Sequence, residues 1–150
     1  NLIVPNSRFC KNVMLDDPRI QDKNNDFIFM DGAEVFNFTL KRIPPLVQKA
    51  LKLSDGEVDF FLFHQANKFM LNHLAKKMKL DSDCVPLNID EYGNTSSASI
   101  PLLMTTTLRN KLKSNETTKL GMFGFGVGYS WSAAVKTVAS SVVLENIFLQ

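Results

Sequence analysis

Apolar and polar positions alternate with different periods along this chain, and each change of period predicts an element. From Glu34 to Leu53 the apolar residues Phe36, Leu40, Ile43, Val47 and Ala50 follow one face of an amphipathic helix. Pro44 and Pro45 fall inside that run. Proline removes a backbone donor and crowds the turn before it, so a kink or two abutting helices is expected there. "VDFFLF", 58–63, is too short for a helix and too apolar for a half-solvated strand. It predicts a central strand covered on both faces. Helical spacing returns from Ala66 to Leu80 through Leu71, Leu74 and Met78. "FIFMDG" (27–32) and "CVPLNI" (84–89) predict short strands, and "SDGEV" and "SNETT" predict turns. "DEYGNTSSAS" is a loop of turn formers and caps, leading into a helix over 97–113 with Pro101 in its first turns. "KLGMFGFGVG" and "YSWSAAVKTV" are strand-like runs joined by glycines. Residues 6–26 form a polar stretch expected to run over the surface, and 139–150 carry no period that assigns them. "NLIVPN" at the start reads as the tail of a strand, so the chain is expected to be a fragment of something longer.

Strands alternating with helices argue an α/β domain: a mixed, mostly parallel sheet with helices on both faces. At 150 residues, 45% of them hydrophobic, the chain is one domain with room for a sizeable core. Seventeen basic against fifteen acidic residues give a net charge of +2, with no basic stripe to mark a nucleic-acid partner. No apolar run approaches the ~20 residues that cross a bilayer. Cys10 and Cys84 are far apart and match no zinc or disulfide spacing, so both are expected to be inert thiols in a reducing, cytoplasmic setting.

Candidate chemistry gathers where such sheets place ligands, at the carboxyl ends of strands. His64 ends one predicted strand. It is either a satisfied core residue or a site residue whose neutral ring donates one hydrogen bond and accepts another. Asn94 is either a turn and cap residue or an amide donor at the mouth of a helix. Together the two can hold one developing oxyanion, and such donors are worth roughly 3 kcal/mol each. "GFGVGYSW" (124–131) is not a dinucleotide loop, because strand-like residues rather than a helix follow it. It reads as a tight turn whose backbone N–H groups can approach a ligand closely. His73 falls on the polar face of its helix, and no cluster of residues offers a metal site. The inventory is therefore donors for an oxyanion without a credible nucleophile.

"FHQAN" (63–67), "YGNTSSASIP" (92–101) and "GFGVGYSW" (124–131) stand in an order and spacing that resemble β-ketoacyl-acyl carrier protein synthase III, a condensing enzyme of the thiolase-like fold. "FMDGAEVF" (29–36) and "LIVPN" are similar as well. The resemblance covers the chain except its last dozen residues and implies a thiolase-like half, residues 1–150 being the C-terminal domain. It further implies that an N-terminal half, absent here, supplies a cysteine nucleophile, and that His64 and Asn94 are catalytic. The expected reaction is decarboxylative Claisen condensation of a malonyl-carrier protein with an enzyme-bound acyl group. By the same resemblance the turn at Gly126, Val127 and Gly128 forms an oxyanion loop through the Val127 N–H, and Lys68, Lys76 and Lys77 are weak docking positions for an acyl carrier protein. Substrates are acyl-CoA and malonyl-acyl carrier protein, with no bound cofactor and no metal. The partners implied are the missing half, the carrier protein, a coenzyme A thioester and a second copy of the full-length enzyme; no nucleic acid or membrane is implied. Two departures stand out: Val127 occupies a position that is usually glycine, and Phe69 one that often holds a docking arginine. A related acyltransferase, a secondary-pathway condensing enzyme and a non-catalytic thiolase-like domain are the alternatives, and an isolated half is expected to be inactive.

Overall fold

Two antiparallel residues on either side begin the order of elements: β1 (Leu2–Ile3) pairs with β2 (Phe29–Met30). The computed structural model describes residues 2–3, 29–126 and 129–141. The surface run expected over 6–26, Cys10, the loop positions Val127 and Gly128, and 142–150 lie outside the described residues.

Asp31 caps the helix that follows, its carboxylate accepting the Glu34 N–H at 3.0 Å. That helix, α1, runs unbroken from Gly32 to Leu53 with both prolines inside it. Of the two expectations for the proline pair, a kink or two abutting helices, the division into two helices does not occur. Pro44 has no N–H to offer the Leu40 carbonyl, and the Lys77 ammonium donates to that oxygen instead, at 2.9 Å. β3 is Phe60–Phe63, buried at all four positions. α2 is Lys68–Met78, capped by the Asn67 side chain, which accepts the Met70 N–H at 3.1 Å.

The strand expected over 84–89 is absent. Asp81 caps a single tight turn over Ser82–Cys84 by accepting the Asp83 N–H, and Pro86 has no N–H for a ladder. The Asn88 carbonyl is taken by Glu91 and Tyr92 as the short helix α3, Ile89–Tyr92, begins. The helix expected over 97–113 is two helices, α4 (Ser99–Thr105) and α5 (Arg109–Ser114), after a tight turn at Ser96–Ala98. Three consecutive threonines explain the break. The Thr105 hydroxyl bonds back to the Pro101 carbonyl and the Thr106 hydroxyl to Leu102, while the Thr106 backbone leaves helical geometry at φ −111°, ψ −84°.

β4 (Thr117–Gly126) and β5 (Ser130–Ala139) form a hairpin, in register from Thr117 opposite Ala139 to Gly126 opposite Ser130. β3 lies parallel to β4, Phe60 opposite Leu120 and Phe63 opposite Phe123. The described sheet is thus mixed, in the order β3-β4-β5, with β4 central and β3 to one side rather than in the centre.

Helices cover both faces of this sheet. On one, Phe61, Phe63, Phe123 and Phe125 meet Ile43 and Val47 of α1 and Leu71 and Leu74 of α2. On the other, Phe60, Leu62 and Leu120 meet Leu103 of α4 and Leu112 of α5. Alternation along each strand produces the two cores, and each fully buried side chain contributes roughly 1.5–3 kcal/mol. Gly121 is required where the Phe123 ring lies over it, since a Cβ there would sit 2.9 Å from that ring.

Candidate active site

β3 and β4 run parallel, so their carboxyl ends open on the same side of the sheet. The ladder continues one step past β3: the His64 N–H donates to the Phe123 carbonyl at 2.9 Å. This holds the His64 backbone to the sheet while its ring projects beyond the strand, edge-on to Phe125 with centroids 5.6 Å apart. The ring Nδ1 lies 2.9 Å from the Ser99 hydroxyl at the start of α4, a residue only 1% exposed. Burial lowers the His64 pKa from its ordinary 6.5, and a backbone hydrogen bond to Ser96 partly opposes that shift. The imidazole is thereby favoured in its neutral form near neutral pH.

Asn94 arrives by a different route. α3 ends at Gly93, whose φ of 68° lies in the left-handed region, so the chain turns sharply into Asn94. The Asn94 side-chain oxygen accepts the Ser96 N–H at 3.0 Å. With its oxygen engaged, the amide keeps its N–H₂ end as a donor.

His64 and Asn94 line one cavity of about 900 Å³. Ser96, Ser99 and the β4 end at Gly126 share its wall, with Phe36 and Phe69 among its apolar lining. A Cβ at Gly126 would meet no atom within 4 Å, so the backbone there stands open. Val127 and Gly128, assigned to the same loop, lie outside the described residues. Tyr129, the next described residue, has a left-handed backbone at φ 52°, and its ring packs 4.8 Å from that of Phe38.

The three lysines assigned to docking have different occupations. Lys68 pairs with Asp90, joining the start of α2 to α3 across the surface. Lys77 is held by the Leu40 carbonyl. Lys76 is exposed in the last turn of α2. Phe69 is 70% exposed and stacks on Phe36 at 5.8 Å; His73, exposed on α2, touches both rings. Among the described residues no group of three or more His, Cys, Asp or Glu side chains is placed to hold a metal, and no helix is long and apolar enough to cross a membrane.

Two polar residues of the site's support are not evident from sequence periodicity. Ser99 is one. Gln65 is the other: it is fully buried, its amide donates to the Phe63 carbonyl at 2.9 Å, and its oxygen accepts the Asn88 N–H at 3.2 Å. A polar residue following an apolar run reads as the strand's exit into solvent, and only the position of Asn88 reveals otherwise.

A mixed sheet clothed on both faces, with a mainly apolar cavity that gathers His64, Asn94 and serines at the ends of its parallel strands, matches half of a thiolase-like α/β fold. Residues 48–138 match the sequence model of the family described as 3-oxoacyl-[acyl-carrier-protein (ACP)] synthase III C terminal, and the chain belongs to that family. It is 43% identical over 112 residues to beta-ketoacyl-[acyl-carrier-protein] synthase III of Acaryochloris marina, a match covering 72% of this chain and 33% of that protein. The protein of the same name from Streptococcus gordonii is 35% identical over 129 residues, covering 83% of this chain and 40% of its own length. The crystal structure of 3-oxoacyl-(acyl-carrier protein) synthase from Burkholderia xenovorans superposes with a TM-score of 0.89 at 51% identity, covering 97% of this chain and 42% of that one. The chain thus spans between a third and about two fifths of the length of these relatives.

Proposed function

We propose that this chain is the C-terminal catalytic half of a decarboxylating condensing enzyme, and that it acts with a nucleophile-bearing N-terminal half. The observation that supports the reading is that His64 and Asn94, thirty positions apart in sequence, both line one cavity beside the β4 end.

An acyl group passes from acyl-CoA to a cysteine of the other half. A malonyl-carrier thioester then enters, and the His64 ring N–H and the Asn94 amide donate to its thioester oxygen. The bond between the malonyl carboxylate and the α-carbon breaks, carbon dioxide leaves, and the electron pair moves into an enolate whose charge rests on that oxygen. The α-carbon attacks the acyl thioester, forms the new carbon–carbon bond and expels the cysteine thiolate. Neutral donors fixed by the fold stabilise charge that exists only in the transition state and the enolate, so they speed the step without tightening ground-state binding. By motif position, the Val127 N–H serves the acyl oxyanion. Lys76 is the docking lysine best able to meet an acidic carrier protein, because Lys68 and Lys77 already hold partners. The chain by itself condenses nothing for want of the nucleophile, and the full-length enzyme works as a cytoplasmic homodimer without a bound cofactor.

The test joins this chain to its nucleophile-bearing half and measures condensation and carbon dioxide release for wild type, His64→Ala and Asn94→Ala. Each variant is expected to lose about 10²–10³-fold in decarboxylation, the usual worth of an oxyanion donor. Release at the wild-type rate in both variants removes the assignment.

A further inference from the structure

We propose that Gln65 is a positioning residue that fixes where His64 and Asn94 stand relative to each other. The inference rests on the oxyanion reading of those two residues and goes beyond it by naming what sets their separation.

His64 is anchored through β3, while Asn94 hangs from the segment that ends in α3. These segments are distant in sequence, and a direct buried link between them is the Gln65 side chain. Its N–H₂ donates back to Phe63, the last residue of β3, and its oxygen accepts the N–H of Asn88, which opens α3. From there α3 runs to Gly93 and delivers Asn94. Asn88 extends the chain of bonds: its own amide donates to the Thr106 hydroxyl at 3.3 Å, and that hydroxyl donates to the Leu102 carbonyl of α4. α4 also carries Ser99, the partner of His64. Both ends of the Gln65 amide are therefore used, and the links from β3 to α3 and from α3 to α4 end on the helix that touches the imidazole.

The chemistry selects an amide here. A fully buried side chain must satisfy both its donor and its acceptor, and this position offers one carbonyl and one N–H. A methyl-ended side chain of the same length satisfies neither. A carboxylate satisfies the N–H alone and sets its other oxygen against the Phe63 carbonyl. A neutral carboxylic acid satisfies both. The groups that bond Gln65 are uncharged; the adjacent titratable residue is His64, which titrates in wild type and variant alike, and among the described residues Lys68–Asp90 forms an ion pair at the surface of the flanking helices.

The experiment uses the full-length protein and separates its two half-reactions: acyl transfer from acyl-CoA to the cysteine, and carbon dioxide release from the malonyl thioester. Gln65→Met is expected to slow carbon dioxide release about 10- to 100-fold, the range for small misplacement of catalytic groups, with KM little changed. Acyl transfer, which does not use the oxyanion pair, is expected to be unchanged. Gln65→Glu is expected to regain decarboxylation as pH falls and the buried carboxyl takes up its proton, a rescue that wild type does not show. The inference is overturned if Gln65→Met slows both half-reactions alike, or slows neither while His64→Ala and Asn94→Ala abolish carbon dioxide release. Should Gln65→Met not fold, the Gln65→Glu profile decides, and a flat profile refutes the inference. Wild-type release by His64→Ala and Asn94→Ala overturns the oxyanion reading and this inference with it.

Discussion

His64 shows how one residue's environment sets both its chemistry and its contribution to stability. Burial lowers its pKa below the ordinary 6.5. Between the folded and unfolded values the unfolded chain binds more protons, so stability falls as pH drops through about 6.5 and levels off below the folded value. Above that window His64 adds no pH dependence. The expected outcome is that urea unfolding of wild type shifts to lower midpoint as pH falls through the ordinary histidine value of about 6.5, and that His64→Gln loses this part of the shift. An equal shift in both proteins contradicts it. His64 and Asn94 were legible in sequence as polar groups placed at a strand end and a helix mouth. Gln65 and Ser99 were not, because a buried polar side chain is recognisable only through the partner that satisfies it, and both partners lie far away in sequence.

At the scale of elements, α1 illustrates compensation across a gap in sequence. Pro44 deprives Leu40 of its helical partner, and Lys77, on another helix, replaces it. Lys77→Met is therefore expected to destabilise the protein by about 0.5–1 kcal/mol, a modest value because the bond is exposed. In a Pro44→Ala background, where the helix regains its own N–H, the same substitution is expected to cost less. A double-mutant cycle read by urea unfolding checks the coupling, and strictly additive effects refute it. The same comparison shows why some elements were legible. α1, α2, β3 and the β4–β5 hairpin follow from clean periods and apolar runs. The strand expected at 84–89 failed because Pro86 and the commitments of Asn88 leave no ladder to form. The helix expected at 97–113 broke where three threonine hydroxyls and backbones gather, a local competition that hydrophobic spacing does not register.

For the whole molecule, the sheet's two covered faces place three separate stretches of sequence around one cavity, each by its own means. β3 brings His64, α3 and its terminal glycine bring Asn94, and β4 brings Gly126. The parallel pairing of β3 with β4 puts two of these at the same edge, and the buried amide of Gln65 ties in the third. The most direct measurement is a crystal structure of the full-length protein with a non-hydrolysable malonyl thioester mimic. The thioester oxygen is expected within about 2.7–3.2 Å of both a His64 ring nitrogen and the Asn94 amide nitrogen. An oxygen bound to neither, or an Asn94 amide turned away from it, contradicts the account.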